Sequence, residues 1–215
     1  MFIELVDSLR CVEPHEDTWL VASVFRMDGR HIVEGILGCP VCRRQYPVRD
    51  GVGWFVESSD MDPRHVAAPP TTIDADLVAR GAALLGLSDP GGIVVLGGHW
   101  VRCADAISEL EPAHTVILDA MPRAESAQEI SGLVVGERLP FAAGALRGVA
   151  LGTESAHGER VASAAALLRP RGRLVAPVSA PLPDGVIELA RDADDWVAER
   201  AATASPPVPL RLARR

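Results

Sequence analysis

Two short stretches hold the soft metal ligands of this chain. Gly38-Cys39-Pro40-Val41-Cys42 is a Cys-x-x-Cys turn with a glycine before it and a proline inside it, which lets both sulfurs face one tetrahedral ion. Alone, the pair also suits a redox motif. Upstream, however, Cys11 is followed after Val12-Glu13-Pro14 by His15, so a second short knuckle supplies two more ligands. Three thiols and an imidazole at these intervals predict a structural zinc centre on Cys11, His15, Cys39 and Cys42. The competing reading is a metal-free relic, with Cys11 buried and His15 on the surface. A unit this small has too little core to fold without a staple, which favours the metal.

The elements that must position these ligands are β-prone. Trp19 to Arg26 and His31 to Leu37 flank Met27-Asp28-Gly29-Arg30, and Asp-Gly in that place predicts a hairpin leading from one knuckle to the other. Tyr46-Pro47-Val48 and Val52 to Val56 would form a closing edge, where the missing N–H of a proline does no harm. Residues 1–56 therefore read as a small β-rich zinc ribbon. Residues 57–73 are polar, then Pro-Pro stiffened, and read as a linker.

From Asp74 the pattern alternates helix and strand. Leu77, Gly81, Leu84 and Leu85 make a helical stripe that Asp89-Pro90-Gly91-Gly92 should stop. Ile93 to Leu96 is a continuous apolar run of the kind buried on both faces of a parallel sheet. Gly97-Gly98 follows, then a helix with Trp100, Cys103, Ala104 and Ile107 on one stripe, which makes Cys103 a core residue rather than a reactive thiol. Further strands are expected at Thr115 to Asp119, Leu133 to Val135, Gly148 to Leu151 and Gly172 to Val178. Helices are expected around Ala124 to Glu129 and along Val161, Ala164, Ala165 and Leu168. Val186 to Arg191 and Trp196 to Arg200 form either a terminal hairpin or, over 192–202, a helix. The α/β alternation predicts a doubly wound, mostly parallel sheet over 74–202. A Pro-rich, basic tail occupies 203–215.

Composition narrows the partners. The chain has 215 residues, 48% of them hydrophobic, enough for one ordinary domain and a small appendage. All 21 basic residues are arginine and the net charge is −8, which argues against a surface that coats nucleic acid. Met1 to Asp7 is acidic where a secretory leader would be basic and then apolar, and no apolar run is long enough to span a membrane. Cysteines placed for metal rather than for disulfides suit a reducing compartment, so the expected location is cytoplasmic.

Two regions of the chain each resemble a known family. Leu37-Gly38-Cys39-Pro40-Val41-Cys42 with Tyr46-Pro47-Val48-Arg49-Asp50-Gly51-Val52 resembles the zinc-ribbon family that activates tRNA and translation-factor methyltransferases, although there the first knuckle is a second Cys-x-x-Cys. Glu137-Arg138-Leu139-Pro140-Phe141 and Leu167-Leu168-Arg169-Pro170-Arg171-Gly172-Arg173-Leu174-Val175 resemble stretches of the Rossmann-like methyltransferases that use S-adenosylmethionine. The second resemblance implies a cofactor turn at Gly97 and Gly98 and a ribose-binding acid at Asp119. It also exposes departures. Val95 stands in place of the acid of that turn, His99 and Trp100 or Val101 in place of its later glycines, and Val135 in place of the adenine-binding acid. A bulky aromatic in the turn is expected to obstruct the cofactor.

Three functions of different class are compatible with these residues. The favoured one is a methyltransferase-like fold with a degenerate cofactor site, acting as a non-catalytic subunit that binds or regulates another protein. The second is an active S-adenosylmethionine-dependent methyltransferase with an unusual turn. The third is a binder of another nucleotide or small ligand at the switch point of the sheet. No residue takes a catalytic role in the favoured reading. His99, at the mouth of the first strand, is the only proposed general base and stands in no constellation.

Overall fold

Gly29 and Arg30 turn the chain back on itself, with Gly29 at φ +55°, and the hairpin they close is β1 (Val21–Asp28) and β2 (His31–Gly38). A second hairpin joins β3 (Gln45–Arg49) to β4 (Val52–Phe55) through Asp50 and Gly51, at φ +48° and +78°. Two consecutive left-handed residues define the tight turn that matches the twist of its strands. The computed structural model describes residues 1–56, 74–87, 91–110, 114–122 and 130–202. The expected linker, the short helix at 124–129, the stop at Asp89-Pro90 and the tail at 203–215 lie outside the described residues.

Beyond the hairpins the order is α1 (Ala75–Leu85), β5 (Ile93–Gly97), α2 (Ala104–Leu110), β6 (His114–Leu118), β7 (Ile130–Val135), β8 (Leu146–Leu151), α3 (Arg160–Leu167), β9 (Leu168–Pro177), β10 (Val186–Arg191) and β11 (Asp195–Arg200). The carboxylate of Asp74 caps α1 by accepting from the Leu77 N–H at 3.1 Å. The helix ends at Gly86, φ +61°, whose N–H bonds back into the last turn, so the stop comes before the Asp-Pro that the sequence suggested. Trp100 and Cys103 lie not in α2 itself but in a 3-10 turn, Gly98–Cys103, that leads into it.

The eleven strands among the described residues form one sheet, in the order β1-β2-β3-β4-β7-β6-β5-β8-β9-β11-β10. β4 pairs in parallel with β7, from Val52 opposite Gly132 to Phe55 opposite Val135. The expected closing edge is therefore corrected: β3 and β4 are interior strands, and the sheet runs on through the division expected after residue 56. Pro47 is tolerated because it faces Ile36 of β2 and lies outside Val48–Arg49, the only part of β3 that pairs with β4. At the far end β10 and β11 form the antiparallel hairpin rather than the competing helix. Trp196 explains the choice, being fully buried with its Nε1–H donating to Ala180 O at 2.9 Å.

Alternate residues of the central strands face two cores. Val94 and Leu96 pack with Trp100, Cys103 and Ile107 under α1 and α2. Val95, Val116 and Val149 pack on the other side with Val161 and Ala164 of α3, with Leu5 of the N-terminal 3-10 turn and Leu9 at its end, and with Tyr46 of β3. The sheet is thus covered on both faces, as a doubly wound α/β fold requires. The N-terminal segment docks on its own sheet: Leu9 bridges to Phe141, the Arg10 N–H donates to Pro140 O at 2.9 Å, and Ala142 N–H to Ser8 O at 2.9 Å.

Candidate metal centre and the cleft at the strand ends

The first knuckle begins where Arg10 bridges to Trp19, and the Cys11 N–H donates to Thr18 O. The second follows β2. There Cys39 O accepts from the Arg43 N–H at 3.0 Å and the Cys39 N–H donates to Arg44 O at 2.9 Å, with Arg43 turning the chain at φ +62°. These two turns bring one ligand atom each from Cys11, His15, Cys39 and Cys42 within 4.8 Å of one another. Cys11 Sγ lies 3.6 Å from Cys42 Sγ, and His15 Nε2 lies 3.1 Å from Cys11 Sγ and 3.4 Å from Cys39 Sγ. A tetrahedral zinc ion with bonds of about 2.0–2.3 Å sets ligand edges of roughly 3.6–3.8 Å, close to this spacing. No disulfide competes for the sulfurs.

The surrounding groups suit metal ligation. Nδ1 of His15 lies 2.7 Å from Glu16 O, and a proton donated there leaves the Nε2 lone pair toward the three sulfurs. Tyr46 is buried, stacks on Phe55 and sets its hydroxyl 3.1 Å from Cys11 Sγ, while accepting from the Val12 N–H at 3.3 Å. Burial, then Cys11, raises the phenol above its ordinary range, so it stays protonated and donates to the sulfur. Burial likewise pushes the Cys11 thiol up to about 11. At Cys39 burial is the strongest single influence and acts upward, but the N–H groups of Cys42 and Val41 together with the Cys42 and Cys11 side chains outweigh it and bring the thiol to about 7. Beside the cluster, a groove of about 510 Å3 runs between the first knuckle and α3, lined by Arg10, His15, Arg138, Phe141, Ser163 and Leu167 among others.

The sequence-predicted cofactor residues lie elsewhere, at the C-terminal ends of the parallel strands, where open α/β sheets bind ligands. Gly97 and Gly98 form the turn after β5, with Gly98 at φ +63°. Their lack of side chains is used by the loop after β8. A Cβ on Gly97 would meet Ser155 Oγ at 2.9 Å, and one on Gly98 would meet Glu154 Oε2 at 2.7 Å and Gly152 Cα at 3.0 Å. His99 is part of the same packing, with Nδ1 4.0 Å from Glu154 Oε2 and its ring 4.7 Å from that of Trp100. The expected obstruction by Trp100 is not found: its side chain is fully buried beneath the turn, where α1 admits it at Gly81. Cys103 is fully buried too, and burial raises its thiol to about 11, as a core residue requires.

Asp119 ends β6 at φ +54°, and both its carboxylate oxygens accept from the protein. Oδ1 takes the Val135 N–H at 3.0 Å and Oδ2 takes Arg160 Nη1 at 2.7 Å. The same guanidinium donates to Val135 O at 2.7 Å and to Gly136 O at 3.0 Å. Arg160, from the first turn of α3, is only 3% exposed and ties together the ends of β6 and β7. Glu137 secures that turn, since its Oε2 accepts from the Glu159 N–H at 2.7 Å and its Oε1 lies 3.2 Å from His157 Nδ1. Sequence reasoning missed Arg160. An arginine in an Ala-rich helix carries no local mark of a carboxylate 41 positions away.

No protein-family profile matches the chain, and neither does any curated protein. Among solved structures, the geranyl diphosphate C-methyltransferase from Streptomyces coelicolor A3(2) is 13% identical over 47% of this chain and 42% of its own, with a TM-score of 0.38. The antibiotic-resistance methyltransferase Kmr is 15% identical over 59% of this chain and 93% of its own, with a TM-score of 0.40. A protein from Methanococcus maripaludis assigned as an S-adenosylmethionine-dependent methyltransferase is 10% identical over 62% of this chain and 89% of its own, with a TM-score of 0.44. The chain spans less than half the length of the geranyl diphosphate methyltransferases it matches.

Proposed function

We propose that this chain is a methyltransferase-like protein with a degenerate cofactor cleft, stapled by zinc at Cys11, His15, Cys39 and Cys42, that acts as a non-catalytic subunit binding or regulating another protein. The observation that carries the reading is Arg160. Its guanidinium holds Asp119, the acid that the resemblance assigns to the cofactor ribose, and spans to the end of β7 where the adenine would sit. The close approach allowed by Gly97 and Gly98 goes to Gly152, Glu154 and Ser155 rather than to a ligand. These side chains do not fit S-adenosylmethionine.

The four metal ligands do fit. A fully protein-ligated zinc with no open position supplies folding energy rather than chemistry, so its role here is to lock the two knuckles. A partner protein is the remaining requirement of the reading. β1 offers one surface for it: an edge strand with Trp19 just before it and Phe25 exposed at 66% and 67%, and with no strand paired to its outer side among the described residues. Among the described residues no helix is long and apolar enough to cross a membrane.

Calorimetric titration of the zinc-replete protein with S-adenosylmethionine and with its demethylated product tests the reading. The expected result is no binding up to about millimolar cofactor, weaker than about −4 kcal/mol. Micromolar binding overturns it in favour of an active methyltransferase.

A further inference from the structure

At the opposite end of the sheet the start of β9 departs from regular pairing. Leu168 pairs with Leu146 and Arg173 with Gly148, so Arg169, Pro170, Arg171 and Gly172 bulge out opposite the single residue Arg147. Gly172 makes the bulge possible, since a Cβ there would lie 2.8 Å from Arg169 O and 3.0 Å from Arg147 O. Arg171 adopts φ +63°, a conformation that L side chains rarely take and that glycine would take freely.

The bulge and the end of α1 enclose a cavity of about 330 Å3, walled by Arg147, Arg169, Arg171 and Arg173, with Glu199 the one acid among the described lining residues. Two of these arginines serve the fold. Arg173 Nη1 donates to Ala83 O and Leu84 O at 3.2 Å, closing the last turn of α1, and Arg147, 3% exposed, donates to Gly86 O and Gly91 O at 3.4 Å. Arg169 and Arg171 have no ion-pair partner among the described residues. In a chain of net charge −8, Arg169, Arg171 and Arg173 face one carboxylate among the described lining residues, a local reversal of the overall balance.

Planar guanidinium forks match phosphate oxygens two at a time. We propose that this cavity binds a small phosphate-bearing anion of about the size of pyrophosphate, held chiefly by Arg169 and Arg171, with Arg147 and Arg173 completing the wall. Its volume is at the lower end for small-molecule sites, too small for a dinucleotide. The cavity lies at the N-terminal ends of β8 and β9, whereas Asp119 and Gly97 lie at the C-terminal ends of their strands, so a ligand here is independent of the cofactor cleft.

The full chain is titrated calorimetrically with inorganic pyrophosphate, phosphate and sulfate, beside the Arg169→Gln and Arg171→Gly variants. Arg171→Gly removes the guanidinium and also relieves the left-handed backbone, so its melting temperature should hold or rise. The proposal expects micromolar pyrophosphate binding, tighter than sulfate, weakened by about tenfold or more in each variant. It is overturned by no binding up to about 10 mM, by affinity indifferent to both substitutions, or by equal weak response to all three anions, which is adventitious attraction. Tighter binding of a short single-stranded RNA at the same arginines would also overturn it, in favour of a nucleic-acid surface.

Discussion

One guanidinium, that of Arg160, satisfies three acceptors: Asp119 Oδ2, Val135 O and Gly136 O. Truncating it leaves a carboxylate and two carbonyls short of a donor in a largely buried place. Arg160→Ala should therefore lower unfolding free energy by about 2–4 kcal/mol, below the figure for a fully dry pair because the Asp119 side chain is 36% exposed. Urea denaturation of Arg160→Ala, Asp119→Asn and the double variant checks this. A double variant no worse than either single one is expected, and strict additivity would remove the pair from the account.

A second residue sets acid sensitivity. Burial first, and the nearby His31 next, hold the His114 imidazole down to about 4 from its ordinary 6.5. Ser131 Oγ accepts from the Phe2 N–H and lies 3.0 Å from His114 Nε2, the geometry of a hydroxyl donating to a neutral ring. The unfolded chain takes up this proton near pH 6.5, whereas the folded chain refuses it until about pH 4. The contribution is present above pH 6.5 and is lost as pH falls toward 4, by up to about 3 kcal/mol. Urea midpoints measured across this range should fall steadily in the parent and much less in His114→Gln.

At the scale of elements the two knuckles illustrate what spacing can and cannot disclose. The cluster itself was legible because metal chemistry restricts residue type and interval, and the side chains of Cys11, His15, Cys39 and Cys42 do converge. The purified protein should carry one zinc per chain. Chelation, or Cys39→Ser, should lower the melting temperature, and the cobalt-substituted protein should show thiolate charge-transfer bands. Metal-free protein with unchanged melting would sink the assignment. The strands were legible too, from apolar runs and Asp-Gly turns. The neighbours of a strand were not, since β pairing is decided by distant segments. Yet β4 carried a signal: Val52-Gly53-Trp54-Phe55-Val56 is a continuous run without a polar residue, a two-sided pattern that an edge strand does not need, and Val52 to Phe55 are all buried. Asp50-Gly51 was a second overlooked sign of a tight hairpin. Arg160 and the bulge of β9 stayed invisible because ion pairs and bulges leave no periodicity.

At the scale of the whole molecule the ribbon and the α/β unit share one sheet and one of its two cores. Removing residues 1–56 would open the flank of β7 and expose Leu133, Val135, Leu139 and Phe141, all of which pack in the core that includes Leu9 and Tyr46. The expected outcome is loss of soluble, cooperatively folding protein, read by expression, gel filtration and thermal melting. A shortened chain that melts as sharply as the full one would establish the two units as separable.

The pairing of β4 with β7 also sets an order of events. On the ribosome the two hairpins are complete long before Ile130–Val135 has been made, so β4 must wait with an open flank for a strand that arrives late. Metal ligation needs only Cys11 to Cys42, all of it already synthesised, and can hold the hairpins in shape through that wait. With zinc bound as proposed, the staple would act as a timekeeper, preserving β4 as a template until β7 is made and can pair with it.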